Sequence, residues 1–164
     1  MDEISWLGDE LGRSGVGFAW AIRQVPADRL GLTPPEGLGE WSALRHLFHL
    51  VWYEREFALP TMRRWLGGPP FAEDGLHEEA DWHAQRTGFV LEAWLHAFAD
   101  GRDEQRSILA CLDPTAWTEE RLIGPSGQPR SAPLRWVVSK TYQHTAEHTN
   151  EVLRIALFWD KLAV

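Results

Sequence analysis

His144 and His148 stand four residues apart in the segment TYQHTAEHTNEVLRI, a spacing that puts two imidazoles one above the other on a single helix face. A pair so placed can grip one metal ion, as the paired histidines of helical zinc motifs do. Helical phase decides where the pair points. At about 100° per residue, Leu134, Val137, Thr141, His144, His148, Val152, Ile155 and Trp159 fall in one stripe about 80° wide. Lys140, Glu147, Asn150, Arg154 and Lys161 lie on the opposite side. The pair is therefore expected on the core-facing seam. The plain alternative is a pair of core histidines hydrogen-bonded to their neighbours. Each buried imidazole then needs partners for both nitrogens, a need that a shared ion partly meets.

A metal centre that acts on a substrate wants three protein ligands and one open position. The candidates for the third ligand are His46, His49, His77, His83 and His96. His49 is favoured by its setting in EWSALRHLFHLVWYERE, mid-helix among apolar residues, with Arg45, Trp52 and Tyr53 on the same side. His46 shares that face and is the reserve. His77 opens the acidic run His77-Glu78-Glu79 and reads as solvated; His83 and His96 read as rim residues. Two other metal motifs do not hold. His144-Thr-Ala-Glu147-His148 matches H-x-x-E-H, but that signature needs a further glutamate well downstream and only 16 residues follow His148. A di-iron bundle needs two Glu-x-x-His elements, and no histidine here has Glu three residues before it.

The elements that must position these residues follow from the punctuation. One helix is expected over Ser5–Arg23, its middle weakened by Gly12, Gly15 and Gly17. After a long connection rich in proline and glycine, a second runs from Trp41–Ser42 to Leu66 and stops at Gly67-Gly68-Pro69-Pro70. A third stretch spans Leu76–Ala80 to Cys111, with Gly88 and Gly101 as weak points and Asp113-Pro114 as its end. Trp117–Arg130 reads as an irregular crossover with a short extended piece at Arg121–Ile123. Ser131 is then the N-cap of a last helix reaching Phe158, with Pro133 in its first turn. No alternating pattern predicts a β-sheet. The expectation is all-α: a single four-helix-bundle domain over residues 1–164.

Composition narrows the function. The 164 residues are 44% hydrophobic with a formal charge of −8, and the pI near 5.3 argues against a nucleic-acid surface. No apolar run approaches the ~20 residues that span a bilayer, and the acidic opening MDEISWLGDE lacks the pattern of a signal peptide. Cys111 stands alone, which excludes a disulfide framework and a cysteine zinc site. A cytoplasmic protein is expected. The ten tryptophans are spread along the chain and read mostly as large residues between packed helices.

Trp41-Ser42 opening the second helix, His49 eight residues after that tryptophan, and His144-x-x-x-His148 on the last helix together resemble the DinB/YfiT-like superfamily. The segments TPPEGLGEWS and LDPTAWTEE add to the likeness, which covers essentially the whole chain. The resemblance implies an up-down-down-up four-helix bundle with one divalent metal, zinc or nickel, held by His49, His144 and His148. It implies a metal-dependent transferase that uses a low-molecular-weight thiol such as mycothiol or bacillithiol, or a related hydrolase. The chain keeps His144 where a mycothiol-dependent isomerase has a glutamate between its ligands, which argues against that isomerase reaction but not against the metal. In such a site Arg45 would hold an anionic group of thiol or substrate, Tyr53 would donate a proton or hydrogen bond, and Trp52 would wall the pocket. The competing reading is a non-enzymatic metal-binding stress-response bundle that acts by association, as a homodimer through an exposed helix face.

Overall fold

A computed structural model of the chain describes residues 3–69, 76–124 and 129–162. Pro70 of the expected second stop, residues 125–128 of the expected crossover and the first two residues of the N-terminal segment lie outside them.

Helix α1 (Glu3–Ile22) runs unbroken through its glycines. Two of those glycines have a packing role. A Cβ on Gly15 would meet Arg102 Cγ at 3.3 Å, and one on Gly12 would meet Arg106 Cδ at 3.4 Å, so the bare backbone lets arginine stems cross the helix. The second rod begins where the Ser42 side chain accepts a hydrogen bond from the Arg45 backbone N–H at 3.2 Å. It comprises α2 (Ala43–Tyr53), a π-helical turn (Glu54–Ala58), α3 (Leu59–Arg63) and a closing 3₁₀ turn that Gly67 ends at φ 83°. Pro60 explains the π turn. It lacks the N–H that an α-helix would present one turn back, and the Leu59 N–H reaches to the Glu54 carbonyl instead.

The third stretch is two helices, not the one expected. Helix α4 (Glu78–Gln85) ends in a 3₁₀ turn at Arg86–Gly88, the backbone is extended at Phe89 and Val90, and α5 (Leu91–Cys111) follows. Gly101 does not break α5; a Cβ there would lie 2.8 Å from Glu54 Oε2. The crossover also departs from expectation. Strands β1 (Glu120–Ile123) and β2 (Arg130–Pro133) form an antiparallel hairpin, with Arg121 opposite Ala132 and Leu122 opposite Ser131. Four-residue strands are too short to show a period in sequence. Ser131 is thus a strand residue rather than a cap, and α6 (Leu134–Leu162) starts after Pro133.

Two apolar clusters define the topology. Leu7, Leu11, Met62, Trp65, Ile108, Leu109, Leu134 and Val137 pack at one end, and Phe18, Ile22, Leu47, Leu50, Leu95, Phe98, Val152 and Ile155 at the other. The order of these residues along the chain makes the four rods run up, down, down and up. The second and third rods are parallel, so the chain between them must return the length of the bundle, and α4 lies on that return. Between the clusters sits a polar layer. The Arg102 guanidinium, 3% exposed, is 2.6 Å from the Glu54 carboxylate and donates to Thr145 Oγ1. Gln105, Thr141 and Thr145 around it are fully buried. Among the described residues no helix is long and apolar enough to cross a membrane.

Candidate metal centre

The second rod and α6 bring three imidazoles together. His144 Nε2 lies 2.9 Å from His49 Nε2 and 3.1 Å from His148 Nε2. Among the described residues, His49, His144 and His148 are the one group of three or more potential ligands whose donor atoms converge, all within 4.8 Å. All three are half-buried, so part of each residue meets solvent. The phase argument from sequence holds. Leu134, Val137, Thr141, Val152 and Ile155 are buried on the same stripe, and Glu147 is exposed, accepting from Gln143 at 2.8 Å.

Two of the three far nitrogens are held, while His144 Nδ1 is buried with no hydrogen-bond partner among the described residues. His49 Nδ1 is 2.9 Å from Glu78 Oε1, and that same oxygen is 2.8 Å from the Arg45 guanidinium. His148 Nδ1 is 2.8 Å from His46 Nδ1. The Trp41 ring stacks on His148, with centroids 5.9 Å apart and planes 5° apart, and presents an edge to His49. Tyr53 packs on the remaining ligand candidate, its ring 4.3 Å from that of His144.

Electrostatics keep the nitrogens free. Burial, and then the neighbouring imidazole of His49, lower the pKa of His144 to about 3. Burial, and then His144 and His49, lower that of His148 to about 2. Burial likewise lowers His46 to about 4. At neutral pH these rings are uncharged, as metal ligands must be. Proton accounting then tests the fit. A neutral imidazole has one N–H and one lone pair. An ionised Glu78 can only accept, which fixes the proton of His49 on Nδ1 and turns its lone pair inward. Three mutually facing Nε2 atoms can share one proton well, which leaves lone pairs opposed. A cation among them uses all three lone pairs, while His49 donates to Glu78 and His148 donates to His46. The donor set, its spacing and its outer partners therefore fit a divalent ion. Two nitrogens bound to one ion at about 2.0–2.1 Å stand about 3.3 Å apart in a tetrahedron, close to the separations found.

The other expected residues fall differently. The structure commits Arg45 to carboxylates: it is 6% exposed, pairs with Glu78 and with Glu79 at 2.9 Å, and has the rings of Trp41, Phe48 and Trp82 around it. Both carboxylates meet Nη2, and Nη1 is buried with no hydrogen-bond partner among the described residues, so α4 holds the guanidinium with one donor nitrogen left over. The Trp52 indole N–H donates to Asp81 at 2.9 Å and is likewise committed to α4. Burial pushes the Tyr53 phenol up to about 12, so it stays protonated. His77 stands at the start of α4, His83 pairs with Glu79 at 3.0 Å, and His96 is exposed on α5. Three residues at the site were not singled out for a role in sequence: Trp41 beyond its place in a motif, Glu78, named only as part of an acidic run, and Asp81. An acidic first turn on a helix gives no hint of which residues it will meet.

No family model matches the sequence, and no curated protein matches it. Among solved structures the chain is similar to one described as "YfiT from Bacillus subtilis is a probable metal-dependent hydrolase with an unusual four-helix bundle topology". The two share 12% identity and superpose with a TM-score of 0.72 over 95% of this chain and 88% of the other. At that identity the likeness speaks for the fold. The up-down-down-up order read from the two apolar clusters agrees with it, and the chain has the DinB/YfiT-like four-helix-bundle fold.

Proposed function

We propose that this chain is a divalent-metal-dependent enzyme acting on small electrophilic molecules, with His49, His144 and His148 as its metal ligands. The observation that carries the reading is the convergence of three imidazole Nε2 atoms on half-buried residues. The likeness to a bundle described as "a probable metal-dependent hydrolase" supports it. Zinc and nickel both suit three imidazole donors. Bound there, either ion supplies a positive charge that lowers the pKa of a coordinated water or thiol toward neutrality.

The protein's own part is to hold and to exclude. Glu78 accepts the His49 Nδ1–H and His46 accepts the His148 Nδ1–H, so two of the three rings are fixed in tautomer and orientation. Trp41 stacks on His148 and stands edge-on to His49, which limits water on that side. Tyr53 remains an O–H donor beside His144 because burial prevents its ionisation at working pH. Arg45 acts through Glu78, holding that carboxylate against His49. The nucleophile is water in a hydrolase, or a low-molecular-weight thiol in a transferase.

The test is elemental analysis of purified protein, followed by hydrolysis and thiol-transfer screens with zinc- and nickel-loaded forms. The proposal expects about one ion per chain and a rate above that of the chelated protein in one screen. An ion without turnover in either screen would favour the non-enzymatic metal-binding bundle, and absence of any ion would end both readings.

A further inference from the structure

Helix α4 is an unusual element of this bundle. It has no buried residue, and its Trp82 packs on the core, the ring 5.3 Å from Phe48. Carboxylates do most of the fastening, and all three in its first turn reach across to α2. Glu78 meets His49 and Arg45, Glu79 meets Arg45, and Asp81 meets the Trp52 indole. Acids at a helix N-terminus are ordinary, since they favour the helix's own dipole. These three do more, because each is within 2.9 Å of a partner on another helix and one of those partners is a ligand candidate.

The contact between Glu78 and His49 depends on where the imidazole proton sits. With the proton on Nδ1 the ring donates to the carboxylate and its inward nitrogen is a free lone pair. With the proton on Nε2, a lone pair faces the carboxylate and the contact turns repulsive. A cation on the inward side allows only the first arrangement. It also polarises the ring, which makes Nδ1–H a stronger donor. Occupancy of the site and docking of α4 are then two ends of one hydrogen bond.

We propose that Glu78 is the positioning residue for His49 and that α4 is a strap whose docking is coupled to the ion on the three histidines. The proposal rests on the metal-centre reading above. By linkage the coupling is reciprocal: the factor by which α4 tightens the ion is the factor by which the ion tightens α4. Loss of an outer-shell carboxylate weakens metal affinity by about 10–100-fold.

The experiment uses the full chain and Zn²⁺ as the probe. Zinc affinity is measured by competition with a chromophoric chelator for the wild type, Glu78→Ala, Glu78→Gln and Glu79→Ala. Hydrogen exchange of the α4 amides is followed with and without zinc in the same four proteins. Glu78→Ala is expected to bind zinc about 10–100-fold more weakly. Glu78→Gln, whose amide carbonyl can still accept from Nδ1–H, should recover part of that loss. Glu79→Ala touches no ligand candidate and only loosens α4, so it should weaken zinc by less than Glu78→Ala does. Zinc should slow exchange in α4 of the wild type, and Glu78→Ala should lose that slowing. Wild-type affinity in Glu78→Ala, or unchanged zinc-induced slowing in it, would overturn the proposal while leaving the metal centre standing. Failure of the wild type itself to bind zinc, cobalt or nickel would instead overturn the metal centre, and the strap with it.

Discussion

Lowering the pH from 7.5 to 5 is a sharp probe of the three-histidine site. Protons compete with an ion for the same lone pairs, so affinity falls as pH falls. Three imidazoles titrating near 6.5 would each be about 3% neutral at pH 5, and affinity would drop by about four orders of magnitude across that range. The structure predicts a far shallower fall. Burial lowers His144 to about 3 and His148 to about 2, so both remain neutral at pH 5 and neither adds to the drop. Their neutrality removes about three of those four orders. Zinc competition against a chelator of known pH dependence, run at half-unit intervals, measures the slope directly. A slope near three protons per ion below pH 6 would mean that these rings are as exposed to protonation as free imidazoles. The buried, mutually packed site described above would then be wrong.

The apo protein should show the same exclusion of protons as a loss of stability. His46, His144 and His148 have folded-state pKa values of about 4, 3 and 2, below the ordinary 6.5. Their contribution is thus fully present above pH 6.5 and is lost as pH falls toward those values. Burial holds Glu54 up at about 7, which works in the opposite sense between pH 7 and its ordinary range near 4.5. Urea unfolding in the presence of a chelator should show a net loss of about 3 kcal/mol between pH 6.5 and 5; unchanged stability would refute the depressed values. Arg102→Met strands the buried Glu54 carboxylate and should cost about 3–5 kcal/mol in denaturant unfolding, and adding Glu54→Leu should recover most of it. Gly101→Ala drives a methyl to 2.8 Å from Glu54 Oε2 and should destabilise by about 1–3 kcal/mol. Gly17→Ala, with open space around it in mid-helix, should stabilise by about 0.5–1 kcal/mol, so the pair of thermal melts separates packing from propensity.

Periodicity and spacing determined a good deal by themselves. An i,i+4 pair on an apolar stripe is a local property of one helix. The direction of His144 and His148, and the outward direction of Glu147, could therefore be read before any fold was known. The strong helix stops at Gly67 and near Asp113-Pro114 are local too, because they rest on backbone conformations that particular residues favour. His49 could be chosen over His77, His83 and His96 because it lies inside a continuous apolar helix.

What the sequence could not decide depends on contacts between distant segments. The glycines of α1 look like helix breakers until Arg102 and Arg106 are seen to cross them. The hairpin β1–β2 has strands too short for a period, and its pairing is set by α5 and α6 bringing their ends together. The pairing of Arg45 with Glu78 was hidden because the 32 residues between them carry no local sign that the chain returns. That return is forced by two parallel rods in an up-down-down-up bundle, whose connection must run back along the outside. It lays α4 across α2 and turns an acidic helix start into the outer partner of His49. Helix phase is fixed by the chain's own geometry; which carboxylate meets which imidazole is fixed only when the helices pack.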